Sequence, residues 1–85
     1  MTTSNKSVYF TLQALATQQA QDIEFAELMG KSLWEAGTKD GVRWDVKHDL
    51  QTQACEWEHK AYEMQGKLDN LVKAAKSTYG FTLHT

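Results

Sequence analysis

The 85-residue chain carries 11 acidic and 9 basic side chains, a formal net charge of −2, and a single cysteine. A balance so close to neutral argues against nucleic acid or an anionic membrane as direct partner, and one cysteine excludes an intramolecular disulfide framework. With 41% apolar and 24% charged residues the composition is that of a globular domain, but so short a chain buries only about 60–65% of its unfolded surface by itself.

Residues 1–7 are polar and lack apolar periodicity, so they read as a flexible N-terminal tail. One lysine without an apolar run is neither a signal nor a transit peptide. No apolar stretch approaches the roughly 20 residues that span a bilayer. A cytoplasmic location is therefore expected, which also suits an unpaired cysteine.

The first predicted helix runs from about 8 to 36. Val8, Leu12, Leu15, Ile23, Ala26 and Leu33 recur at helical spacing, with Ser7 placed to cap the start. Gln19 falls inside this stripe. A polar residue there fixes register or pairs with a symmetry mate; otherwise it marks a break in the face or a ligand contact. Gly30 costs about 1 kcal/mol relative to alanine in a helix interior, which points to a close crossing at Ala26 and Gly30. Gly37 is the expected stop, since glycine accepts the positive φ that ends many helices.

Residues 37–44 form the predicted turn. Gly37, Lys39, Gly41 and Arg43 superficially suggest a phosphate cradle, but the glycine spacing is wrong and no Lys-Ser/Thr pair follows. Asp40-Gly41 instead supplies a chain reversal, and residues 42–44 are either extended or already helical. Trp34 and Trp44 then cap the end of a bundle, or with Arg43 form a tip that grips a partner.

The second helix, about 45–79 with Asp45 as N-cap, has the cleaner pattern. Leu50, Ala54, Trp57, Ala61, Met64, Leu68, Leu71 and Ala75 alternate steps of four and three, a sustained heptad seam. Glu56–Lys60 and Glu63–Lys67 stand in the favourable acid-first i,i+4 order. Gly80 closes the helix, with Phe81 placed for the contact that accompanies a glycine cap, and 81–85 read as a C-terminal tail.

The fold class expected is all-α: an antiparallel two-helix hairpin. The apolar arc of the first helix is wider than a two-helix seam needs, so two hairpins are expected to pair into a four-helix bundle. Leu12, Leu15, Gln19, Ala26, Gly30, Leu33, Trp57, Ala61, Met64, Leu68 and Leu71 would form the core or the dimer contact.

Candidate chemistry is thin. His48, Cys55 and His59 project within about 40° of one another on a helix, the only arrangement that hints at a metal. They face away from the seam and lack a fourth ligand, so neither metal nor cofactor is expected. Cys55 with His59 also lacks an orienting group and an oxyanion donor, so no enzyme is expected. Asp22, Glu24 and Glu27 lie on a first helix that carries no lysine or arginine between Val8 and Gly30. With Phe25 and Leu28 at the edge of the apolar arc, Asp22 and Glu24 form a candidate docking surface. Trp34-Glu35-Ala36-Gly37 departs by one residue from the Trp-x-Gly turn of certain secreted hairpins, and such likeness carries no function.

The function expected is therefore a non-enzymatic protein–protein interaction module. It would be a homodimeric adaptor or inhibitor of a macromolecular partner, of the kind phages and plasmids carry. The alternative is a regulator of nucleic-acid transactions, by direct binding or as an acidic competitor.

Overall fold

The computed structural model describes residues 2–85, with side-chain surroundings from Lys6 onward. Two helices, α1 (Thr2–Thr38) and α2 (Trp44–Tyr79), pack as an antiparallel hairpin, and no strand occurs among the described residues. The molecule is a rod of 63 × 16 × 13 Å.

The seam follows one rule on both helices. On α2 the positions Leu50, Ala54, Trp57, Ala61, Met64, Leu68, Leu71 and Ala75 are all buried or half-buried. On α1 the matching row is Leu12, Ala16, Gln19, Ile23, Ala26, Gly30, Leu33 and Gly37, again in steps of four and three. This rhythm keeps one face of each helix turned toward the other along the whole rod. Leu15, expected in the core, is instead 44% exposed, while its small neighbour Ala16 is fully buried. The row that fits the alternating steps runs through residue 16. Leu15 lies beside the seam, one position outside it.

Small residues set the spacing toward the turn. A Cβ on Gly30 would stand 3.3 Å from the Ala54 carbonyl oxygen and 3.3 Å from Glu58 Cγ. One on Gly37 would meet Gln51 Cγ at 3.3 Å and the Lys47 carbonyl oxygen at 3.4 Å. Gly37 is therefore not the helix stop expected of it. It is buried within α1, where α2 leaves no room for a side chain. The positive φ falls at Gly41 (83°) inside the five-residue connection 39–43.

Helix ends differ from expectation in three further places. α1 begins at Thr2, so residues 2–7 continue the helix, and Ser7 lies inside it with its carbonyl accepting the Thr11 hydroxyl at 3.0 Å. Met1, part of the expected tail, lies outside the described residues. At α2, Arg43 occupies the N-cap with extended backbone and no side-chain cap bond. Asp45 is displaced into the first turn, where a carboxylate still favours the positive end of the helix dipole.

The opposite end closes with a glycine cap. Gly80 takes φ 73°, its N–H donates to the Lys76 carbonyl at 2.9 Å, and the Phe81 N–H donates to Ala75 at 3.2 Å. That left-handed turn sends the chain back along the hairpin, so 81–85 is a strap rather than a free tail. Leu83 is 6% exposed and shares a core cluster with Ala16, Ile23, Leu68 and Ala75. The Gln13 side chain fastens the strap at both edges of one residue. Its Nε2 donates to the His84 carbonyl at 2.7 Å, and its Oε1 accepts the His84 N–H at 2.9 Å. Phe81 stacks on Tyr79 and meets the edge of Tyr9.

Candidate interaction surfaces

Four groups of residues carry the functional expectations, and the fold distributes them along the rod without gathering them into one site. At the turn end, α1 runs on to Thr38 and α2 starts at Trp44, so both tryptophans sit beside the reversal. Trp34 is 45% exposed and lines a shallow groove with Glu27, Lys31, Glu35 and Glu58. Trp44 is 79% exposed and stacks on the His48 ring at a 5.8 Å centroid distance. Arg43 pairs with Asp45 at 3.1 Å. Neither indole is buried under the other elements, so the turn end is an open, aromatic and partly cationic tip.

A second group lines one long side of the rod. Asp22, Phe25, Trp57, Lys60, Glu63, Met64 and Lys67 surround a groove of about 270 Å³ between the helices. Phe25 meets Trp57 edge to face at 5.7 Å, and the Lys60 ammonium lies 4.5 Å above the same indole. Lys60 thus covers Trp57, where an ion pair with Glu56 was expected. Glu63 turns to His59 at 2.9 Å, where Lys67 was expected. Phe25 and Leu28 are 54% and 61% exposed, and Glu24 is likewise exposed.

The third group, on the outer surface of α2, does not assemble. His48 is engaged by Trp44, His59 by Glu63, and Cys55 is exposed. No three His, Cys, Asp or Glu side chains are grouped to hold a metal ion among the described residues. A common sector on a helical wheel is not a common site, because residues separated by 11 positions lie about 16 Å apart along the axis.

The fourth is Gln19, at mid-seam. It is half-buried, and its Oε1 is shielded from solvent without a hydrogen-bond donor. Its place in the apolar stripe makes Gln19 visible in the sequence, whereas nothing in the sequence marks Gln13, whose amide holds the strap. Gln19 lies on the seam row, whereas Gln13 lies one position off it, where the returning chain meets its amide.

The surface as a whole is large. A compact monomer of this mass exposes about 5,100 Å², whereas this chain of 9.7 kDa exposes 6405 Å². Among the described residues no large side chain is fully buried, and Phe10, Leu15, Phe25, Leu28, Trp34, Trp44, Val46, Tyr62 and Tyr79 are each more than two-fifths exposed. No helix among the described residues is long and apolar enough to cross a membrane. No protein family, no curated protein and no solved structure matches the chain.

Proposed function

We propose that the hairpin is a non-enzymatic interaction module that pairs with a second copy into a four-helix bundle and grips a macromolecular partner with its turn end. One observation carries the reading: about 1,300 Å² of surface beyond that of a compact monomer of equal mass, on a chain that leaves nine large apolar side chains exposed. A stable protein–protein contact needs roughly 800 Å² from each side. The excess is enough for one such contact along the rod and leaves the tip free for another. Exposed Trp44 and Trp34 beside Arg43 supply the residue types that dominate interface hot spots.

Light scattering tests the first half. A mass twice that of the 9.7 kDa chain is expected, and the mass of one chain would remove the bundle. Covalent trapping in a lysate of the source cells tests the second half. A Trp34→Ala, Trp44→Ala double variant is expected to lose whatever the parent traps while keeping its mass and helicity. Salt-dependent retention on heparin, retained by that variant, would favour the nucleic-acid alternative instead.

A further inference from the structure

We propose that the two copies pair through the side lined by Asp22, Phe25, Trp57, Lys60 and Lys67, about a two-fold axis along the rod, so that α1 of each chain lies on α2 of the other and both turns emerge at the same end. This inference rests on the pairing proposed above and adds its face and its symmetry.

The face follows from what each side already carries. The hairpin has two broad sides. Toward the chain termini one of them is occupied by the strap, where Gln13 and Leu83 hold it down and His84 and Thr85 border Thr17 and Ala20. The other is bare from end to end. On α1 it presents positions 8, 15, 22, 29 and 36, one per heptad and so on one line: Val8, Leu15, Asp22, Met29 and Ala36. Four of the five are apolar. Leu15 is exposed, and Phe25 stands beside the line, more than half exposed although its edge meets Trp57. The matching line on α2 is Val46, Gln53, Lys60, Lys67 and Ala74, with Trp57 and Met64 reaching the surface between them. Leu15, Phe25 and Val46 are thus exposed on the side that the strap leaves open, while Trp34, Tyr62 and Tyr79 belong to the strap side.

Charge selects the axis. Asp22 stands level with Lys60 and Lys67, since all three border one groove. If the axis runs along the rod, α1 of one chain covers α2 of the other at the same height, and Asp22 faces the partner's two lysines, with Glu63 of that groove turned aside to His59. If the axis crosses the rod with full overlap, α1 covers α1 and α2 covers α2. Asp22 then faces its own copy near mid-rod, and the lysines face lysines. Like charges across an apolar contact oppose association, and opposite charges fix its register. The same axis gathers two copies of Trp34, Arg43 and Trp44 at one end, giving the tip a bivalent grip.

The test uses the full chain with Cys55→Ser and Lys39→Cys, spin-labelled in the turn. Helices spaced 8–10 Å apart place turns at a common end about 20–30 Å from each other, labels included. Turns at opposite ends would stand near the 63 Å length of the rod. The short distance supports the proposal. A dimer giving the long distance overturns it and leaves the pairing intact, whereas a monomeric mass overturns both. Charge exchange gives a second reading. Asp22→Lys acts twice per dimer and should weaken association about tenfold. Adding Lys60→Asp and Lys67→Asp should restore it, and a failure to restore it with helicity unchanged would overturn the arrangement.

Discussion

Two glycines on the helices show how the same residue type carries opposite consequences. At Gly66 a Cβ meets nothing within 4 Å, so only helix propensity is at stake. Gly66→Ala is expected to raise stability by about 0.5–1 kcal/mol, read from denaturant midpoints at unchanged slope. At Gly30 the same propensity gain is opposed by the Ala54 carbonyl, which is backbone and yields only if the helices part. Gly30→Ala should therefore fall short of the Gly66 gain, and Gly30→Val should destabilise by about 1–3 kcal/mol. Equal gains from both alanines would show that the axes do not touch there. Gln19 gives a third case. Its unsatisfied Oε1 is shielded within the seam, so Gln19→Leu should stabilise the hairpin by about 1–2 kcal/mol. A loss of stability measured the same way would mean that the amide has a partner that a single chain does not supply.

At the scale of elements, α2 was legible because its large residues and its alanines both follow the four-three rhythm. α1 was legible as a helix but not in register. Its seam contains Ala16, Gly30 and Gly37, which weigh little on any hydrophobic reading, while the exposed Leu15 weighs heavily. Hydrophobicity favours the larger side chain for the stripe, yet the structure buries the smaller one. Gly37 misled for a related reason. A glycine near a reversal serves either backbone freedom or close approach, and only the position of the other helix decides which. The strap was unreadable as structure, because five residues show no period; the sole trace is Phe81 and Leu83 alternating after Gly80, as an extended segment with one buried side would. Leu83→Ala removes the buried side chain from a cluster that also includes Ala16 and Leu68. A cost of about 2–3 kcal/mol is expected. Amide exchange should then rise first around Gln13 and His84, while the turn half remains protected. Uniform loss of protection along the rod would make the strap part of one cooperative core.

For the whole molecule, a rod this thin keeps many of its apolar side chains within reach of water, so the pairing proposed above should contribute to its stability. The thermal midpoint is expected to rise with protein concentration, as it does when folding and pairing are linked. A midpoint independent of concentration over a hundredfold range would leave the single hairpin as the stable species. The tip, the metal-type residues and the long side were each visible in sequence as residue types. What sequence did not convey was separation: His48 and His59 share a wheel sector but not a place, and Leu15 and Phe25 acquire a common side only once the strap has taken the other.

The strap also decides how the chain responds to tension. Gln13 and His84 are 71 positions apart in the chain but joined by two hydrogen bonds, and Tyr9 touches Phe81. Force applied at Thr85, which the strap carries back to Thr17 and Ala20, therefore reaches α2 only through the strap and loads the clamp first. Once the clamp parts, the helices separate one layer at a time toward Gly41, each layer bearing the load alone. A hairpin pulled this way opens by peeling, at low force, whereas the same seam pulled from opposite ends of the rod would have to be sheared along its full length at once.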